Sequence, residues 1–87
     1  MKDVKLTETV ISQKKSLKYE LQDIVLDITW SKIASRYFGK SSSWIYHKLN
    51  GIDGNGKPTE FTEEERVQFK NSLFDLSDRI RNTAYQI

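Results

Sequence analysis

Two short amphipathic runs that meet at one glycine constrain this chain more than anything else in it. Between Trp30 and Phe38, the residues Trp30, Ile33, Ala34 and Tyr37 fall at i, i+3, i+4 and i+7, which is one face of an α-helix. Thr29 is a candidate N-cap. Gly39 stands where that helix has to stop and where a positive φ costs little. Ser41 or Ser42 can cap a second run, Ser42 to Leu49, by accepting bonds from its free N–H groups. Within it Ile45 and Leu49 share a face toward the first helix, which leaves Ser43, Tyr46, His47 and Asn50 on the opposite side, and Asn50-Gly51 supplies the stop. Helices joined by about three residues must cross steeply, so residues 30–51 form a predicted helix-turn-helix.

The flanks read as its frame. Val10, Leu17, Leu21, Ile24 and Ile28 recur at helical intervals with no Pro or Gly between them, predicting a helix over residues 5–27, with Lys14, Lys15, Lys18 and Tyr19 along its outer side. Residues 52–61, IDGNGKPTEF, are a flexible loop by composition, or a short hairpin with Lys57 at its tip. The DGNG piece has the look of a calcium loop, but aligning Asp53, Asn55 and Gly56 with the third, fifth and sixth positions puts Gly51 and Thr62 where carboxylates are required, and that reading fails. Thr62-Glu63-Glu64-Glu65 forms a capping box, with its acids at the positive end of a helix dipole. Phe69, Leu73, Leu76, Ile80, Ala84 and Ile87 then repeat at spacings of three and four, predicting a helix over 62–85, with Val67 and Phe74 on a flanking line. Two dozen residues span about 35 Å. That is more than a small helical core needs, so the far end must cover the N-terminal helix or meet a second copy of the protein.

The expected fold is therefore all-α, one domain over residues 1–87, with four helices at 5–27, 30–38, 42–50 and 62–85 and the two longer ones bracing the central pair. Eighty-seven residues are too few for two cores. With 37% hydrophobic and 30% charged residues the chain is ordinary globular material. The lack of cysteine excludes disulfides and thiolate metal sites. No apolar run approaches the roughly 18 residues that cross a bilayer, and the N-terminus lacks the apolar core of an export signal, so a cytoplasmic location is expected.

Charge is informative through its placement. The net charge is only +2, yet from Asp27 to Asp53 there is no acidic residue, while Lys32, Arg36, Lys40 and Lys48 all fall there, with His47 beside them. Catalysis has little support, because a single histidine and no cysteine leave no nucleophile-base pair. No catalytic residue, cofactor or metal ligand is expected, and the chain does not read as an enzyme.

The segment Gly39-Lys40-Ser41-Ser42-Ser43-Trp44-Ile45-Tyr46-His47-Lys48-Leu49-Asn50-Gly51 resembles the turn, recognition helix and closing Asn-Gly of lambda-repressor-like (Cro-type) DNA-binding domains, with Ala34 as the small residue where the two helices touch. The likeness covers about a quarter of the chain. It departs from the pattern in three ways: Ala34 to Gly39 is one residue longer than usual, Lys40 stands where an apolar residue normally follows the glycine, and the family's two further small helices are not evident in the sequence. In general style the chain is also similar to small uncharacterised bacterial proteins of mobile elements.

The resemblance implies double-stranded DNA as partner, with a regulatory role. The second helix would enter the major groove, with Ser43, Tyr46 and His47 nearest base edges and Ser42 holding a phosphate. Lys32, Arg36, Lys40 and Lys48 would neutralise phosphates. Trp44 lies between the buried and exposed sides of that helix and can complete the core or offer a stacking surface, the core being the first choice for a large aromatic; Trp30, Tyr37, Phe38, Phe69 and Phe74 are expected in the core. The rival expectation is a helical module for protein contact, and a homodimer through the C-terminal helix fits either.

Overall fold

The computed structural model describes residues 17–87, and the part of the first expected helix that holds Val10, Lys14 and Lys15 lies outside them. The protein is all-α. Its described residues form four helices and no strand: α1 (Leu17–Glu20), α2 (Trp30–Ile33, continued without a break by a wider π turn, Ala34–Phe38), α3 (Ser42–Asn50) and α4 (Glu63–Gln86). No described helix is long and apolar enough to cross a membrane.

The expected helix to residue 27 is corrected. The α-helix ends at Glu20, and residues 21–27 run on as successive turns closed by short-range bonds, Ile24 N–H to Leu21 C=O at 2.9 Å and Asp27 N–H to Ile24 C=O at 2.9 Å. Two causes are visible. Ile24, Val25, Asp23 and Asp27 are all poor helix formers. The Val25 carbonyl, which a helix would offer to residue 29, instead accepts the indole N–H of buried Trp30 at 2.9 Å. A regular period of apolar residues survives because the turns still deliver Leu21, Ile24 and Ile28 to the core.

In α2 the backbone widens. The N–H groups of Gly39 and Lys40 both reach the Ala34 carbonyl, the latter at 3.0 Å, so the last turn holds one residue more than an α turn. The extra residue between Ala34 and Gly39 is thus absorbed inside the helix. Gly39, at φ 66°, then reverses the chain in the left-handed region that a side chain disfavours. We expect deletion of exposed Ser35 to return this turn to α register while keeping Tyr37, Phe38 and Gly39 in place, with stability changed by no more than about 1 kcal/mol in a urea titration. Removing Tyr46 instead would turn Leu49 off the core face and unfold α3.

The core lies where α2, α3 and α4 meet. Ala34 and Ile45 have no exposed surface, and Trp30, Ile33, Leu49, Phe61 and Phe69 are buried around them. Phe69 stacks on Phe61 at 5.1 Å and meets Trp30 at 5.9 Å, tying α4 to the loop before it and to α2. Tyr37 adds a polar latch: its hydroxyl bonds to the Asp75 carboxylate and accepts from Arg79 Nη1 at 3.0 Å, and its carbonyl accepts from Gln68 Nε2 at 2.7 Å.

The capping box of α4 is present in full, Thr62 Oγ1 accepting from Glu65 N–H at 3.1 Å and Glu65 Oε1 from Thr62 N–H at 2.9 Å. Phe74, expected in the core, is corrected to the surface at 61% exposed, since it lies off the Phe69-Leu73-Leu76 line that faces α2. From Ser77 onward every residue of α4 is exposed. Among the described residues the central pair is braced by the first half of α4 on one side and by α1 with the turns after it on the other, Leu21 lying in the core and Lys18 bonding to Asn50.

Candidate nucleic-acid interface

Helix α3 is held by one face and open on the other. Ser41 is its N-cap, accepting from Trp44 N–H at 3.2 Å, which places Ser42 and Ser43 in the first turn, both exposed. Ile45 and Leu49 are buried, while Tyr46 is 44% exposed. Asn50 does not serve the C-cap, a role taken by Gly51 at φ 83°; its Oδ1 accepts from Lys18 Nζ at 3.1 Å.

The basic residues separate into two groups. Lys32 and Arg36 are exposed on α2 and flank a cleft toward α4, together with Arg79, which sequence spacing could not have joined to them. Lys40 and Lys48 flank Trp44, their ammonium groups 5.9 Å and 5.7 Å from the indole ring. Trp44 itself is half-buried and packs on Phe38 at 4.9 Å and Phe61 at 5.8 Å, so it closes the edge of the core and carries the two cations outside.

Lys48 has a structural task. Its ammonium lies 3.3 Å from Glu65 Oε1 and donates to the Glu60 carbonyl at 3.1 Å, bridging α3 to the start of α4. The carboxylate-free stretch in the sequence is therefore not carboxylate-free in space. Lys32, Arg36 and Lys40 have no ion-pair partner among the described residues.

Glu65 serves the capping box and this pair at once. Partial burial alone would raise its pKa, but the Thr62 N–H bond and the bond and charge of Lys48 outweigh it, and the carboxyl is held below its ordinary range. Because the folded value is the lower one, the stabilisation is full above the ordinary glutamate value near 4.3 and is lost as pH falls through the folded value. We expect the urea midpoint to drop over that acid window, and Glu65→Gln, which keeps the cap but removes the charge, to flatten part of the drop. The pair is a quarter exposed on the glutamate side, so the difference at neutral pH should be no more than about 1 kcal/mol.

His47 is half-buried and faces the loop, its Cε1 lying 3.6 Å from where a Cβ on Gly54 would stand. The loop at 52–61 is closed as a small hairpin by an antiparallel bridge between Ile52 and Pro58 and by Thr59 N–H to Gly51 C=O at 3.0 Å. Asp53 Oδ1 accepts from the backbone N–H groups of Lys57 at 2.9 Å and Asn55 at 2.8 Å, and these bonds lower its pKa despite slight desolvation, with a smaller contribution from His47. The Asp-Gly-Asn-Gly sequence thus makes an Asx-type turn.

Of the eight residues singled out by sequence, Lys40, Ser42, Ser43 and Tyr46 share the turn and the open side of α3. Lys32 and Arg36 lie on α2, His47 faces the hairpin and Lys48 is tied to Glu65. No curated protein and no solved structure matches the chain. Residues 17–87 match the model of a family described as Domain of unknown function (DUF5053), and the chain belongs to that family.

Proposed function

We propose that the protein binds double-stranded DNA through α3, in a regulatory role, as the Cro-type resemblance of residues 39–51 implies. The observation that carries this reading is the first half of α3: Ser42, Ser43 and Tyr46 are exposed on a helix whose opposite face, Ile45 and Leu49, is locked in the core, with unpaired Lys40 at the turn before it. A rigid helix presented this way can enter a major groove without unfolding anything. Ser43 and Tyr46 then face base edges and Ser42 a phosphate, with His47 at the margin beside the hairpin. Lys32, Arg36 and Lys40 supply the phosphate contacts. Three such contacts give a log-log salt slope of about −2.7. A titration of random-sequence duplex DNA at two salt concentrations checks it, and no binding at low salt ends the reading.

A second reading, a helical module for protein contact, is favoured by the outer half of α4, where Ile80 is 57% and Ile87 fully exposed on one stripe with Leu76 and Ala84. The same stripe suits a homodimer, which in a helix-turn-helix protein would set two half-sites about 34 Å apart. We expect Ile80→Glu to shift a sedimentation-equilibrium mass from dimer toward monomer while leaving the far-ultraviolet circular dichroism unchanged. A wild-type monomer at all concentrations would remove the dimer from the proposal.

A further inference from the structure

The cleft between α2 and α4 has the chemistry of a small-molecule site, a use that neither reading makes of it, although the DNA reading draws on its Lys32 and Arg36 and the dimer reading on its Leu76 and Ile80. It encloses about 340 Å³ and is lined on its apolar side by buried Ile33, half-buried Ile28 and Leu76, and Ile80. Lys32, Arg36 and Arg79, all exposed, stand along its open side. Arg79 is fixed there by its bond to the Tyr37 hydroxyl, which uses one of the five N–H donors of the guanidinium. Lys32 and Arg36 have no ion-pair partner among the described residues. Against these three cations stand two carboxylates, Asp27 in the lining and Asp75, which shares the Tyr37 hydroxyl with Arg79 and keeps its charge. The cations outnumber the carboxylates by one beside an apolar wall, and an anion seated among them neutralises the excess while its body covers the wall.

We propose that this cleft binds a small organic anion with an apolar body, such as a medium-chain carboxylate, its head among Lys32, Arg36 and Arg79 and its chain against Ile28, Ile33 and Leu76. The volume is at the lower end for small-molecule sites and fits such a molecule better than a protein segment. Occupancy also cancels charge that the DNA reading assigns to phosphate contacts, so the bound anion acts as a negative effector. Only this last step rests on the proposed function.

The test titrates octanoate, 1-octanol and octyltrimethylammonium into the ¹⁵N-labelled full chain and follows amide shifts. Octanoate is expected to give saturable shifts centred on residues 28–37 and 76–80, 1-octanol to bind about tenfold more weakly, and the cation to leave those amides unmoved. Lys32→Gln with Arg36→Gln should weaken octanoate about tenfold with the spectrum otherwise intact, whereas Lys48→Met should not. Equal binding of octanoate and 1-octanol, shifts confined to residues 81–87, or no saturation overturns the proposal. Octanoate binding without any DNA binding keeps the site and removes the DNA reading; DNA binding without octanoate does the reverse.

Discussion

Replacing Phe69 with alanine is expected to cost about 3–5 kcal/mol of folding stability. The ring is 3% exposed and is the piece of α4 that touches both Phe61 and Trp30. Removing it opens a cavity that cannot collapse easily, because its walls belong to three separate elements, α2, α4 and the loop. Domains of this size have only about 5–15 kcal/mol in total, so the variant should be partly unfolded at 37 °C. Trp30 lies against the cavity, and its fluorescence in a urea titration reports the loss directly. Phe74→Ala, five residues along the same helix but exposed, should stay within about 0.5 kcal/mol of wild type. Equal costs for the two would mean that α4 packs through a different face.

The contrast between these two phenylalanines shows what sequence periodicity can and cannot resolve. A spacing of three and four identified the Phe69-Leu73-Leu76 line, and local chemistry at Thr62-Glu65, Gly39, Ser41 and Gly51 located helix ends, because caps and left-handed turns depend on neighbours in the chain. The π turn at Ala34–Phe38 has no such local signature. It shows only as one residue too many between Ala34 and Gly39. Residues 21–27 kept a helical period without being a helix, since the deciding bond, Trp30 Nε1 to the Val25 carbonyl, is a packing event. Phe61 looked like a loop residue and is buried.

The candidate site was legible in the same uneven way. The exposed side of α3 follows from Ile45 and Leu49 being apolar at i, i+4, which one helix encodes by itself. The fate of Lys48 depends on Glu65, seventeen positions later, and the position of Arg79 beside Lys32 and Arg36 depends on how α4 lies across α2. Charge counted along the chain therefore overstated the cationic surface by one lysine and missed one arginine.

That accounting leads to the second large effect. Neutralising Lys32, Arg36 and Lys40 to glutamine is expected to lower affinity for random duplex DNA about a hundredfold at low salt and to remove most of its salt dependence. Wild type, with three contacts, should lose roughly fortyfold between 50 and 200 mM salt, and the triple variant only a few-fold. Each single substitution should reduce the slope by about one unit. Lys48→Met is the discriminating control. Its ammonium is held by Glu65 and the Glu60 carbonyl, so the substitution should lower stability slightly yet leave the salt slope as it was. Ser43→Ala and Tyr46→Phe, in turn, should leave the slope unchanged and alter preference among sequences, because base-edge contacts release no counterions. A slope that falls with Lys48 but not with Lys40 would put the nucleic acid on the Lys48 side of α3, and the face of Ser42, Ser43 and Tyr46 would then not be the one that meets it.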